Sequence, residues 1–147
     1  MKPKEFYKMH LNAEEGGLTI NTTAYSVIGE TECYYYAVIK FDESLVTFAA
    51  KQESETPVQC ARRLKKLKKI DKRNSRFAFE TEEKAYEHLK FLKRKQLSHM
   101  RREIAFIESF LKSEPKLDKL KERRFYGNIW REIPGTEDLV KEYFNFD

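Results

Sequence analysis

The first fifty residues carry the hydrophobic pattern of β-strands. Apolar and β-branched residues dominate four short segments, and each link between them is only a few residues long. The two glycines of NAEEGG mark one of these links as a turn. Because links this short do not allow parallel crossovers, the pattern predicts an antiparallel β-meander. The predicted strands are EFYKMHL (5–11), LTINTTAYSVIG (18–29), CYYYAVIKF (33–41) and LVTFAA (45–50).

Beyond residue 55 the apolar period changes to that of an amphipathic helix. Thr56 stands at an N-cap position, Pro57 at the first helical position and Gln59 three residues after the cap. These are three agreeing signals for the start of a helix. At about 100° per residue the apolar side chains gather on one side of the helix. The pattern therefore predicts a helix from Pro57 to Lys72, with Cys60, Leu64, Leu67 and Ile70 on its apolar side.

A second helical pattern runs without a break from Glu82 to Lys112. Thr81 precedes it as a cap, two glutamates occupy its first turn, and Pro115 lies just beyond its end. A helix this long either crosses the whole sheet or pairs with another copy of itself, so a homodimer through the long helix stays an open alternative. Its apolar stripe consists of Ala85, Leu89, Leu92, Met100, Ile104, Ile107 and Leu111.

A short helix, TEDLVKEYFNF, is predicted at the C-terminal end, capped by Thr136. Strands first and helices afterwards indicate an α+β fold. The expected architecture is an antiparallel meander, a basic amphipathic helix, one long helix and a short last helix. We expect one domain over residues 1–147, rich in strands over 1–50 and in helices over 56–147.

Charge is distributed unevenly along the chain. The net charge is +5, but residues 62–102 hold 16 Lys or Arg against 5 Asp or Glu. The segment CARRLKKLKKIDKRNSR (60–76) alone has nine cations and a single acid, Asp71. Such asymmetry favours an acidic partner.

Cations spaced along one exposed face bind phosphates by displacing counterions. The pattern thus predicts a non-enzymatic, basic accessory protein that binds nucleic acid or a nucleic-acid-handling complex; an ordinary solvated helix face is the competing explanation. The predicted contacts are Arg62, Lys65, Lys66, Lys69 and Lys72 on the helix, Arg73 and Arg76 after it, and Lys90, Arg94 and Arg101 on the long helix.

The segment RRFYGNIW (123–130) places arginines beside aromatic residues. Such a cluster can stack single-stranded bases or contact a partner. The alternative is that its aromatic residues pack against the long helix as core. The candidate side chains are Arg123, Arg124, Phe125, Tyr126 and Trp130.

Catalytic and metal-binding patterns are weak. No nucleophile and base stand at a diagnostic spacing, so an enzyme is the least favoured class. His99 and Glu103 lie one helical turn apart, as a functional or a structural polar pair. No cofactor and no metal site are predicted.

Cysteine use and hydropathy point to a cytoplasmic protein without a membrane segment. Cys33 and Cys60 have no CxxC spacing, and we expect both to be buried, reduced thiols. No apolar run approaches the roughly 20 residues that span a bilayer.

A second function remains open. Small chains rich in lysine and aromatic residues, without a catalytic signature, are common among bacteriophage accessory proteins. The alternative is therefore a protein-binding inhibitor or adaptor, a phage-type factor for host takeover or counter-defence that blocks a larger host protein.

Overall fold

The structure is a computed structural model that describes residues 5–144, with the side chains of residues 142–144 left out. The chain divides into two compact units, Met1–Leu92 and Lys93–Asp147. The fold is α+β, as predicted: an antiparallel sheet comes first, and helices follow, including one long and one short C-terminal helix.

The first unit is built on a four-stranded antiparallel sheet. Its strands are β1 (Glu5–Glu14), β2 (Gly17–Glu30), β3 (Tyr34–Ile39) and β4 (Lys68–Asp71), and they lie side by side in chain order. The first three strands were predicted. The fourth strand, β4, lies at the edge of the sheet. Its residues were predicted to be helical, and that prediction was wrong.

Core side chains lie on both faces of this sheet, because successive residues of a strand point to opposite sides. Ala37 and Val38, neighbours on β3, are both fully buried, in different clusters. One cluster consists of Phe6, Tyr25, Ala37, Ile70 and Ala78. The other consists of Val38, Val46, Ala50, Cys60 and Ala61, and it is formed with the helices that follow β3.

The segment 45–50 is not a strand, which corrects the prediction. A single 3-10 turn, Lys40–Asp42, leads into helix α1 (Glu43–Gln52). Val46 and Ala50 are four residues apart, so a helix brings both onto one buried side. On the helix both pack with Cys60 and Ala61, whereas Leu45 and Phe48 stay exposed.

Helix α2 spans Pro57–Arg63 and is much shorter than the predicted Pro57–Lys72. Its start agrees with the prediction, because the Thr56 hydroxyl accepts a hydrogen bond from the Gln59 N–H, and the Gln59 side chain accepts one from the Thr56 N–H. Its end was missed. Lys65 has φ +57°, a left-handed conformation that stops the helix.

Two hydrogen bonds close this end of α2 in a Schellman motif. The Lys66 N–H donates to the Ala61 carbonyl at 2.9 Å, and the Lys65 N–H donates to the Arg62 carbonyl at 3.1 Å. The chain can then send Leu67 into one core cluster and Ile70 into the other. A continuous helix could not reach both faces of the sheet.

Helix α3 spans Glu82–Ser113, which confirms the predicted long helix. The Lys84 N–H donates to the Thr81 hydroxyl, so Thr81 caps the helix as expected. Of the predicted apolar stripe only Ala85 and Leu89 are buried; Leu92, Met100, Ile104, Ile107 and Leu111 are exposed.

The rest of the second unit contains a hairpin that was not predicted. Strands β5 (Glu122–Phe125) and β6 (Asn128–Arg131) pair around Tyr126 and Gly127, whose φ angles of +45° and +78° are those of a tight hairpin turn. Helix α4 spans Glu137–Phe144, and the predicted positions 145 and 146 lie outside the described residues. None of the helices in the described range is long and apolar enough to cross a membrane.

Candidate nucleic-acid interface

Six exposed cations lie in the part of the first unit that leads into β4, along β4 and away from it. They come from the end of α2, from β4 and from the bend that follows it, and we call them the basic edge. Because β4 pairs only with β3 in the described sheet, its outer side is not covered by another strand. The six residues are Arg62, Lys65, Lys68, Lys69, Arg73 and Arg76.

Local structure places three of these side chains on β4 or beside its end. Lys69 lies opposite Tyr36 and Lys68 opposite Ala37, so the two lysines point to different faces of the sheet. After β4, the Asp71 carboxylate accepts hydrogen bonds from the Arg73 and Asn74 N–H groups at 2.8 and 3.2 Å. This turn keeps Arg73 beside the end of the strand.

Three other cations of the segment 60–76 are paired with carboxylates of the first unit. The Arg63 guanidinium lies 2.7 Å from a carboxylate oxygen of Glu55. Lys66 Nζ lies 3.2 Å from a carboxylate oxygen of Asp42, and Lys72 Nζ lies 2.7 Å from one of Glu30. Lys66 and Lys72 were predicted to contact phosphate. Both are half-exposed and ion-paired, so their charges are balanced within the first unit.

The Arg63 pair also affects proton binding. Its hydrogen bonds hold the pKa of Glu55 below the usual value of 4.5, and the same contact raises the pKa of Arg63. This pair stays charged at neutral pH and contributes little free positive charge to the surface.

For the six cations of the basic edge, the described residues offer no such partner. Among the residues that the structure describes, no carboxylate lies within 4.0 Å of their charged groups. Lys69 instead places its Nζ 3.8 Å from the centre of the Tyr34 ring. Lys68 was not among the predicted contacts, because on a continuous helix it falls away from the cationic face.

The predicted contacts on the long helix are divided between the two units. Lys90, in the first unit, lies 2.6 Å from Glu87 and 4.8 Å from the centre of the Tyr86 ring. Arg94 and Arg101 are exposed and belong to the second unit. Their contribution to nucleic-acid binding stays a prediction.

The segment 123–130 forms most of the β5–β6 hairpin, and its aromatic side chains are exposed. Phe125 and Tyr126 are 65% and 89% exposed, and Trp130 is 54% exposed. The expectation that these residues form core is therefore wrong. Arg123 and Arg124 are exposed on β5, and Arg124 lies 3.5 Å from Glu122. Base stacking by this hairpin stays a prediction.

A cavity of about 150 Å³ lies beside Lys72 in the first unit. Both cations in its wall are paired, Lys72 with Glu30 and Lys84 with Glu80. Its polar lining also contains Asp71 and Ser75. Since its positive and negative groups balance, the cavity offers no concentrated charge for an anion.

The two cysteines differ, which corrects one prediction. Cys60 is buried, but Cys33 is exposed, since it lies in the link between β2 and β3. Burial raises the pKa of the Cys60 thiol.

His99 and Glu103 are both exposed, and no three His, Cys, Asp or Glu side chains within residues 5–144 gather as metal ligands.

The described chain thus carries a group of exposed cations without carboxylate partners, the basic edge, and several exposed apolar surfaces. Comparison of the chain with protein-family models, with curated protein sequences and with solved structures found no match.

Proposed function

We propose that this protein binds the phosphate backbone of nucleic acid through the basic edge and catalyses no reaction. The observation that carries the proposal is that six exposed cations between residues 62 and 76 lack a carboxylate partner among the described residues. Cations brought together without internal neutralisation repel one another, and a polyanion relieves that repulsion by releasing its counterions.

The arrangement suits backbone contact rather than base recognition. The cations lie before, on and after β4, and the two on the strand point to different faces of the sheet. Phosphate contacts position a protein without reading sequence, whereas base readout requires an element inserted into a groove. We therefore expect binding with little sequence preference.

Lysines on an edge strand have a second physical effect, because they discourage pairing with the edge of another sheet. That effect requires only charge on the strand itself. It does not require the additional cations Arg62, Lys65, Arg73 and Arg76, which lie outside β4. Their presence favours a ligand.

Free thiols on Cys33 and Cys60 fit a cytoplasmic setting for such a protein.

Fluorescence anisotropy with labelled duplex DNA and single-stranded RNA, at about 50 mM salt, tests the proposal. The edge variant carries Lys65, Lys68 and Lys69→Gln. The control variant loses the same charge in the second unit, with Lys112, Lys116 and Lys119→Gln. We expect the edge variant to bind at least tenfold more weakly than the wild type, and the control to bind within about threefold of it.

Two outcomes would contradict the proposal. One is a wild-type protein that binds neither nucleic acid in this buffer. The other is an equal loss of affinity in the two variants, because net charge alone would then explain binding. Circular dichroism spectra of all three proteins check that their helix content is unchanged.

Binding to a protein partner is the second candidate function, and a specific observation favours it. Phe41 is 92% exposed, and Leu45 and Phe48 on α1 are 52% and 64% exposed. Phe41 stands in the 3-10 turn that leads directly into α1. Large apolar side chains in water at successive turns are typical of surfaces that insert into an apolar pocket of a partner.

A capture experiment from nuclease-treated bacterial lysate separates this candidate from the first. Protein binding through α1 predicts one stoichiometric partner, retained by the edge variant and lost with Phe41→Ser and Phe48→Ser. A partner that is retained by these serine variants would contradict binding through α1. Loss of the partner in the edge variant would instead assign it to the basic edge.

A further inference from the structure

The second half of helix α3 carries an apolar seam that the rest of the described second unit leaves exposed. Its members are separated by three, four, three and four residues, and each is between 48% and 60% exposed. This alternation is the repeat of a coiled-coil interface, which places every member on one narrow side of the helix. The seam consists of Leu97, Met100, Ile104, Ile107 and Leu111.

The opposite side of the same helix segment carries its less exposed residues. Arg102 is half-buried there, and its guanidinium donates a hydrogen bond to the Ser98 hydroxyl at 2.9 Å. The half-buried residues of the segment share this side: Ser98, Arg102, Ala105, Phe106 and Ser109. At about 100° per residue they lie roughly opposite the seam. The exposed seam is thus a face of α3 distinct from the half-buried one.

Charges beside the seam indicate what covers it. When Leu97 is assigned to position a of a heptad, Arg101 and Glu108 occupy e positions and Glu103 a g position. In a parallel pair Glu103 of one copy would face Glu108 of the other, which is repulsive. In an antiparallel pair Arg101 of each copy would face Glu108 of the other, and the two-fold symmetry forms this ion pair twice.

We propose that two copies of this chain associate through the seam with their α3 helices antiparallel. Ile104 and Ile107 occupy the centre of the contact, and Met100 packs near Leu111 of the second copy. The two symmetry-related pairs of Arg101 and Glu108 fix the antiparallel direction. This association does not depend on nucleic-acid binding, because the basic edge belongs to the first unit.

Analytical ultracentrifugation of the full chain, from low to high micromolar concentration, tests the association. We expect the wild type to be dimeric at the higher concentrations. Ile104→Asp together with Ile107→Asp should raise the dimer dissociation constant more than tenfold. Both side chains are exposed, so the far-ultraviolet circular dichroism of the variant should match that of the wild type. A wild type that is monomeric throughout would overturn the proposal, as would an equally dimeric aspartate variant.

Charge exchange tests the direction of the helices. Arg101→Glu and Glu108→Arg should each weaken the dimer about fivefold, and the double variant should restore it. In a parallel dimer, Glu108→Arg would instead strengthen association, because the new arginine would face Glu103 of the other copy. Strengthening by Glu108→Arg, or failure of the double variant to recover, would refute the antiparallel arrangement.

Discussion

Gly29 of β2 lies directly against Val58 of α2. A Cβ atom added to Gly29 would stand 2.6 Å from Val58 Cγ2, much closer than two carbon atoms can approach. Gly29 also follows an irregularity in the pairing of β2 with β3, where the register shifts between Val27 and Gly29. The missing side chain therefore lets α2 pack closely on the sheet, and α2 leads into the basic edge.

Gly29→Ala is expected to destabilise the protein by about 1–3 kcal/mol, because the added methyl group overpacks the contact with Val58. Urea unfolding followed by circular dichroism measures the change. Gly16→Ala is the matched control, since a Cβ at Gly16 meets nothing within 4 Å. Adding Val58→Ala to Gly29→Ala should recover part of the loss. Equal stability of the two alanine variants would show that α2 does not pack as described.

Lys65→Gly tests where α2 ends, because the sign of its effect on the free energy of unfolding depends on the conformation of residue 65. Lys65 has φ +57°, a conformation that costs a non-glycine residue roughly 1 kcal/mol. Glycine removes this cost, so the variant should be more stable than the wild type by up to about 1 kcal/mol. If the helix continued to Lys72, glycine would destabilise it by a similar amount. Lys65→Ala is the control, because it removes the same charge without relieving the backbone.

Acid should weaken the fold through the carboxylates of Glu5 and Glu55. Hydrogen bonds from Lys40 and Tyr7 lower the pKa of Glu5, and those from Arg63 lower the pKa of Glu55, from the usual 4.5. A lowered folded-state pKa stabilises the fold above pH 4.5, and this stabilisation is lost as the pH falls through the folded-state value.

Urea midpoints between about pH 6 and about pH 3 measure this dependence. Arg63→Gln removes the cause of the Glu55 shift, so its stability should fall less with acid than that of the wild type. Arg62→Gln serves as the control, because no described carboxylate pairs with Arg62. Identical pH profiles for the wild type and Arg63→Gln would contradict the Glu55–Arg63 pair.

The two thiols should differ in reactivity toward Ellman's reagent. The thiolate is the reactive form, Cys33 is exposed, and burial raises the pKa of Cys60. We expect one fast-reacting thiol per native chain and two in denaturant. Cys33→Ser should abolish the fast phase. Two fast thiols in the native protein would place Cys60 at the surface.

The sequence predicted those elements whose signals are local. Thr56 and Thr81 cap helices because a side-chain hydroxyl binds an N–H three residues away, and the strands before residue 40 follow from β-branched residues and short links. The segment 64–71 was misassigned for a different reason. The spacing of Leu64, Leu67 and Ile70 fits a helix, although the segment is not helical. The chain turns at Lys65 because Leu67 and Ile70 cover opposite faces of the sheet, which the local pattern does not show.

The candidate site was predicted in composition but not in geometry. Local charge density identified the segment around Arg62 and Arg73, since it depends only on sequence. The division of its cations into paired and unpaired ones depends on distant carboxylates, such as Asp42 for Lys66 and Glu30 for Lys72. Separations of 24 and 42 residues leave no local signal of these ion pairs.

Phosphate binding by the basic edge is tested most directly by the salt dependence of duplex DNA affinity. If all six cations contact phosphates, log Kobs should fall with log salt with a slope near −5, at about 0.9 per contact. The edge variant, with Lys65, Lys68 and Lys69→Gln, should lower the magnitude of this slope by about 2.7, and the control variant should leave it unchanged. A slope that is the same in the wild type and the edge variant would contradict the account.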